Sequence, residues 1–309
     1  MSPESRERRR VLVTGARGFI GRRCLPRLSA LGFETHAVSS APIDGGGATW
    51  HRCDLLDGAA CEALVRRLRP THLLHLAWIA HPGTFWASPL NLAWLTAGAR
   101  LVGAFYEEGG ERVVGAGSCA EYAVSTTPCQ EDVTPIAPDT VYGEAKTAMH
   151  FALRAAARDR GSWAWMRLFF PYGPGEPRER FIPSVIDGLL RGEPVKCTHG
   201  NQVRDFIHAD DGADACIALL DSRLSGPFNV GTGRGCSLRE VAAVIVAELG
   251  RAELLRFGER EASARDRAYV VADVSKIRDQ LGWKPRLGLK EGIRLTIEAK
   301  VHELKKKSA

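Results

Sequence analysis

Tyr142 and Lys146 stand four residues apart in the run Tyr142-Gly143-Glu144-Ala145-Lys146. Four residues is about one helical turn, so a phenol and an ammonium would share one helix face. A neighbouring cation favours the phenolate, which makes a group with a free pKa near roughly 10 a workable proton donor and acceptor. Ser118 closes the apolar run Arg112–Ser118 and precedes Tyr142 by 24 residues. A hydroxyl at a strand end can hydrogen-bond a reacting oxygen, and it can equally cap a helix or form a turn. The apolar positions Met149, Phe151 and Leu153 that follow Lys146 also suit ordinary core packing.

A second pattern gives these groups something to act on. Val11-Leu12-Val13 runs straight into Thr14-Gly15-Ala16-Arg17-Gly18-Phe19-Ile20-Gly21, with glycines at 15, 18 and 21. Glycine allows a tight turn and lets a diphosphate approach the main chain, while a helix starting at the last glycine offers free N–H groups to the anion. Glycine is common here, 32 of 309 residues, so the spacing means little without its context. The context is a buried strand before the turn and apolar residues at helical spacing over 19–31 after it, stopping at Gly32.

Strand-like runs at Arg10–Thr14, Glu34–Ser39, 49–54, 72–77, Arg112–Ser118 and 163–170 each precede one amphipathic stretch. That alternation predicts an α/β fold with a doubly wound (Rossmann) parallel sheet covered on both faces. Ligands bind such sheets outside the carboxyl ends of the strands, where Ser118 and the glycine turn would meet. From Phe169 onward Pro171, Gly173, Pro174, Gly175, Pro177, Pro183 and Pro194 crowd the chain. This texture predicts a smaller, partly irregular C-terminal domain that holds the substrate.

Composition narrows the class. With 309 residues, 45% apolar and 25% charged, the chain can bury a sizeable core. The net charge of +6 gathers at the ends, in Arg6, Arg8, Arg9 and Arg10 and in Lys305, Lys306 and Lys307. No aromatic-interleaved basic patch accompanies these runs, so no nucleic-acid partner is expected. Eight scattered cysteines without a CxxC pair predict neither a metal site nor a disulfide framework, and they suit a reducing cytoplasm. No apolar run approaches the roughly 18 residues needed to span a bilayer, so no membrane partner is expected.

Taken together, the 14–21 turn, Ser118, and Tyr142 with Lys146 resemble the extended short-chain dehydrogenase/reductases, in their nucleotide-sugar epimerase/dehydratase branch. The resemblance spans nearly the whole chain. It extends to Asp54-Leu55, His75-Leu76-Ala77, Asn91, Arg204-Asp205-Phe206, Asp210-Asp211, Phe228-Asn229-Val230-Gly231, Ala272-Asp273 and Leu281-Gly282-Trp283. It implies that Tyr142 is the general acid/base, that Lys146 holds the nicotinamide ribose, and that Ser118 bonds the reacting oxygen. Cofactor contacts are implied for Gly15, Arg17, Gly18, Phe19, Ile20, Gly21, Ser39, Ser40, Asp54, Leu55, Leu76, Ala77, Asn91, Phe169 and Pro171. Arg204 would grip the substrate diphosphate. The family's second arginine falls on Ser263, so Arg265 or Arg267 takes its place, and Phe170 stands where many relatives carry asparagine. The expected division is residues 8–168 with about 205–232 for the dinucleotide domain, and 169–204 with 233–305 for the nucleotide-sugar domain. A homodimer through the helical stretches 93–106 and 142–158 is also implied.

Two details bear on the reaction. Ser39 and Ser40 follow Val38 where a carboxylate would select NAD(H), and Arg17 can pair with a 2′-phosphate, so NADP(H) is favoured with NAD(H) the alternative. Dehydration requires carboxylates directly after the serine, where Cys119 and Ala120 stand; Glu121 comes one residue later and would point elsewhere. Cys119 reads as a buried, inert thiol. The expected activity is NADPH-dependent reduction of the 4-keto group of a nucleotide-linked 6-deoxyhexose. A 4-epimerase retaining NAD is the alternative, and a non-catalytic dinucleotide binder would have no use for Tyr142. Replacing Arg17 with alanine should raise the KM for NADPH much more than that for NADH, and steady-state kinetics with both cofactors checks this.

Overall fold

The computed structural model describes residues 9–41, 47–263 and 266–308. Arg6, Arg8 and Arg265 lie outside the described residues. The first half runs β1 (Arg10–Thr14), α1 (Gly21–Ala30), β2 (Glu34–Ser39), β3 (Thr49–Arg52), α2 (Gly58–Leu68), β4 (His72–His75), α3 (Leu90–Glu107), β5 (Arg112–Ser118), α4 (Val141–Ala157) and β6 (Ser162–Leu168). Next come β7 (Phe170–Tyr172), α5 (Phe181–Arg191), β8 (Val195–Cys197), β9 (Val203–Arg204), β10 (Phe206–His208), α6 (Ala209–Leu220) and β11 (Gly226–Val230). The chain ends with β12 (Cys236–Ser237), α7 (Leu238–Leu249), β13 (Leu255–Phe257), β14 (Tyr269–Val270), α8 (Ser275–Leu281) and α9 (Leu289–Ser308).

Seven strands pair in the order β11-β6-β5-β4-β1-β2-β3, and every pair is parallel. This is the expected doubly wound α/β sheet. Both faces are covered, so the central strands are apolar throughout; Val11, Leu12 and Val13 are all buried. On one face Cys24, Leu25 and Leu28 of α1 pack with Ala213, Cys216 and Leu220 of α6. On the other, Leu64 of α2, Leu101 and Phe105 of α3, and Met149 and Leu153 of α4 surround Trp165. Each fully buried side chain of this size stabilises the fold by about 1.5–3 kcal/mol. Because order reverses between β1 and β4, helices leave in opposite directions there and open a crevice at the strand ends.

The structure corrects several sequence boundaries. The run 163–170 is not one strand. β6 stops at Leu168, Phe169 donates its N–H to Val230, and Phe170 donates to Asp205, so the chain leaves the sheet and β7 pairs instead with β10. The helix over 19–31 begins two residues late, at Gly21, which leaves Phe19 and Ile20 in the turn. No helix separates β2 from β3 among the described residues. The seventh strand, β11, was absent from the strand-like runs because Gly226 and Pro227 break its apolar pattern.

A second, smaller core lies beyond the sheet. Ile182, Val185, Ile186 and Leu189 of α5 pack with Val241 and Ile245 of α7 and Ile293 and Ile297 of α9. Arg22 and Arg23 of α1 both donate to the carbonyl of Pro174, tying the glycine-turn helix to the loop that leads into this layer.

Candidate active site

The glycine turn sits at the carboxyl end of β1, pressed against the segment that leaves β4. Gly15 has φ +67°, and a Cβ on it would lie 2.7 Å from the Ala77 nitrogen, so only glycine fits. Leu76 N–H donates to the Thr14 carbonyl, and Ala77 N–H donates to Thr14 Oγ1. Thr14 Oγ1 is also hydrogen-bonded to His75 Nδ1 at 2.7 Å, and burial holds that imidazole neutral by pulling its pKa down to about 3. Thus the turn, His75, Leu76 and Ala77 form one surface. Among the described residues no backbone acceptor takes the N–H groups of Phe19, Ile20 or Gly21, and α1 carries no side-chain cap. Those donors at a helix start fit a diphosphate.

Around this cradle, Arg17 is exposed and has no ion-pair partner among the described residues. Ser39 Oγ accepts from Ala41 N–H, and Ser40 is exposed. Asp54 is exposed with Oδ1 accepting from Leu56 N–H, and Leu55 is half-buried beside it. These residues ring the carboxyl ends of β2 and β3.

Ser118, Tyr142 and Lys146 come together on the adjoining side. β5 ends in a 3₁₀ turn, Cys119–Glu121, and Ser118 Oγ caps it by accepting from Ala120 N–H. Its own N–H donates to Glu121 Oε1 at 2.8 Å. Thr140 caps α4 by accepting Gly143 N–H at 3.0 Å. A Cβ on Gly143 would lie 2.6 Å from the Ala120 carbonyl, so α4 begins hard against the 3₁₀ turn. That contact brings Tyr142 near Ser118, whose hydroxyl weakly offsets the upward shift of the phenol. Tyr142 also donates its N–H to the Trp86 carbonyl, and its ring stands edge-on to Phe85 at 4.8 Å and Trp86 at 5.6 Å.

The electrostatics differ from the expected phenolate. Burial pushes the Tyr142 phenol well above its ordinary pKa, while the nearby Ser118 hydroxyl and the Arg180 charge pull weakly the other way. Lys146 Nζ is 5.8 Å from the Tyr142 ring centre and donates to the Ala116 carbonyl at 2.7 Å. Burial lowers Lys146 to about 7, partly offset by Glu121. Desolvation therefore disfavours charge on both the half-buried Tyr142 and the buried Lys146, and the pair rests as a protonated phenol beside a lysine poised near neutrality.

Other expected residues divide. Arg204 is buried and ion-paired to Asp266, with Phe170 beneath its guanidinium at 5.3 Å. Arg267 pairs with Asp139. The positive charge of both arginines pulls the Cys119 thiol weakly down; Arg265 lies outside the described residues. Cys119 is half-exposed rather than buried, and desolvation pushes its thiol up to about 12, which keeps it inert. Phe169 is buried among Tyr122, Cys129 and Ala272, and Pro171 is half-buried within β7. Asn91 departs from expectation. It is fully buried, accepts Trp78 Nε1–H, and donates to the carbonyls of Phe85 and Ser88, so its amide organises the loop before α3.

Glu121 points inward, away from the crevice, with both oxygens taken by Trp165 and Arg167. Four contributors escaped the sequence reading: Trp78, Phe85, Trp86 and Arg180. The aromatic residues sit in one loop after β4, at the binding end of a central strand, and that placement was a readable signal. Arg180 sits at the start of α5 and had no local pattern to mark it.

Comparison with known proteins adds the family. A family model described as "NAD dependent epimerase/dehydratase family" matches residues 11–231. CDP-abequose synthase of Salmonella typhimurium is 36% identical over 139 residues, 43% of this chain and 46% of its own length. UDP-glucose 4-epimerase of Bacillus subtilis is 28% identical over 320 residues, covering 91% of this chain and 94% of its own. The solved structure of MoeE5 in complex with UDP-glucuronic acid and NAD is 31% identical with a TM-score of 0.85, covering 95% of this chain and 99% of that one.

The lysine's buried charge has a cost that can be measured. Its folded pKa, about 7, lies below the ordinary value, so the unfolded state binds the proton more tightly and stability rises as pH increases from about 7 towards 10.5. Lys146→Met should therefore raise the unfolding free energy most below pH 7, by on the order of a few kcal/mol, with the gain shrinking at alkaline pH. Calorimetry across that range checks it.

Proposed function

The chain belongs to the NAD dependent epimerase/dehydratase family and is an enzyme of oxidoreductase type, and from that premise we propose that it reduces the 4-keto group of a nucleotide-linked 6-deoxyhexose with NADPH. The reading is carried by the Tyr142 phenol, kept protonated by desolvation and set near the Ser118 hydroxyl at the carboxyl end of β5. A protonated phenol is a general acid, which is what reduction of a ketone requires.

The glycine turn with the free N–H groups at the start of α1 would hold a nicotinamide dinucleotide, whose chemistry when bound would be hydride transfer. Tyr142 gives its proton to the sugar oxygen, and Ser118 donates a second hydrogen bond where negative charge develops. The resulting phenolate is favoured by the ammonium of Lys146 and the guanidinium of Arg180. Arg204 and Arg267 would hold the diphosphate beside Cys119, with Phe170 flanking it. Because Glu121 is consumed by Trp165 and Arg167, no carboxylate is left at this point to remove a carbon-bound proton, which argues against dehydration. Exposed Arg17 next to Ser39 and Ser40 supports NADP(H).

A second reading, an NAD-retaining 4-epimerase, draws support from the long match to the Bacillus subtilis enzyme and from the NAD in the MoeE5 complex. Either activity suits a cytoplasmic homodimer, and exposed Leu92 on α3 and Phe151 on α4 supply apolar surface for pairing. The proposed division of labour gives residues 8–168 and about 205–232 to the dinucleotide, the remainder to the nucleotide sugar.

Incubation with NADPH and a panel of nucleotide 4-keto-6-deoxyhexoses should consume reductant in proportion to product. Tyr142→Phe should lower turnover by about 10²–10⁴-fold while dinucleotide affinity stays within a few-fold. Stoichiometric NAD in the purified protein, with sugar interconversion and no added reductant, would replace the reductase by the epimerase.

A further inference from the structure

Trp78 lies directly after the segment that seals β4 against the glycine turn, and the chemistry proposed above makes no use of it. Its indole N–H donates to Asn91 Oδ1 at 2.9 Å. Asn91 is itself fixed, donating to the Phe85 carbonyl at 2.7 Å and the Ser88 carbonyl at 2.9 Å. The ring held in this way turns its face to Lys146, whose Nζ is 3.9 Å from the ring centre. Among the described residues no other cation lies so close to an aromatic ring. The same ammonium donates to the Ala116 carbonyl, so it is gripped from two sides.

We propose that Trp78 is a positioning residue of the active site: its indole face, locked by Asn91, holds the Lys146 ammonium in the crevice beside Tyr142 and keeps it charged. The inference rests on the reading of Lys146 as partner to the proton-transferring phenol. An ammonium in a desolvated pocket loses the stabilisation of water, and a π face restores part of it by electrostatic attraction. The need is real here, because burial already draws Lys146 down to about 7.

Little else around the ammonium can substitute. His75 faces it from β4, held neutral by burial. Glu121 acts from the 3₁₀ turn and favours the charged form, but its carboxylate is bonded to Trp165 and Arg167. Tyr142, on the lysine's own helix, is a neutral phenol, and the Trp165 ring of β6 is 6.0 Å away. Trp78 is thus the near, face-on partner.

The test reads the lysine directly and the reaction separately. In full-length protein carrying isotope-labelled lysine Cε, the Lys146 resonance, identified by its loss in Lys146→Met, is titrated in wild type, Trp78→Phe and Trp78→Leu. The midpoint in Trp78→Leu should fall about one pH unit below wild type, with Trp78→Phe between them because a phenyl face is the weaker partner. The alkaline limb of kcat/KM should move by the same amount in each variant. If Trp78→Leu fails to fold, the partial shift in Trp78→Phe carries the test. A midpoint unmoved by either replacement overturns the proposal, whatever the activity. A midpoint that moves in a protein without turnover on any nucleotide sugar upholds the hold of Trp78 on Lys146, and sinks the reductase reading instead.

Discussion

A carboxylate with no solvent exposure, Glu121, lies behind Ser118 and pairs with an equally hidden guanidinium, Arg167, at 3.0 Å. Trp165 donates to the same carboxylate, and so does the Ser118 N–H. The guanidinium reaches on to the Tyr122 hydroxyl, which donates to Asn229 Oδ1 on β11. One buried network therefore links the ends of β5, β6 and β11. A buried pair of this kind adds little net stability, because desolvating two charges offsets their attraction, yet removing either partner costs about 3–5 kcal/mol. Its value lies in direction. With both carboxylate oxygens hydrogen-bonded, the 3₁₀ turn is fixed at the end of β5, and the Ser118 hydroxyl caps it by accepting from Ala120 N–H.

From that fixed point the rest of the site is assembled by close backbone approach. α4 can begin only where Gly143 leaves room for the Ala120 carbonyl, so Tyr142 arrives beside Ser118. The glycine turn can approach β4 only through Gly15, so the donors of the α1 start arrive on the same rim. The parallel sheet brings these carboxyl ends into register, and the reversal between β1 and β4 opens the space between them. The Arg22 and Arg23 bonds to Pro174 tie the dinucleotide side to the loop preceding α5, where Arg180 stands. Geometry thus converts short, local sequence choices into a crevice with a proton donor on one wall and an anion cradle on the other.

Much of this was legible in the chain. The strand runs, the turn and the Tyr142–Lys146 spacing depend on patterns within a few residues, and β1, β2 and β5 fall where their apolar runs end. What escaped depends on distant partners. β11 begins with Gly226 and Pro227, so only its neighbour β6 reveals it as a strand. That Glu121 points elsewhere was legible, but its partner Arg167, 46 residues on, was not, and neither was the bond between Asn91 and Trp78. The electrostatic error has the same origin: spacing places an ammonium next to a phenol, but only the packed structure reveals that burial dominates both.

The central claim is that the buried Glu121–Arg167 pair aims Ser118, and with it Tyr142, at the carbon–oxygen bond that gains or loses hydride. A crystal structure of the ternary complex with dinucleotide and nucleotide sugar tests it most directly. The account predicts both hydroxyl oxygens within about 3.2 Å of the sugar's 4-oxygen, with the pyrophosphate on the 15–21 turn. A sugar bound with its 4-oxygen out of reach of both hydroxyls, while Glu121 still holds the Ser118 amide, would contradict it.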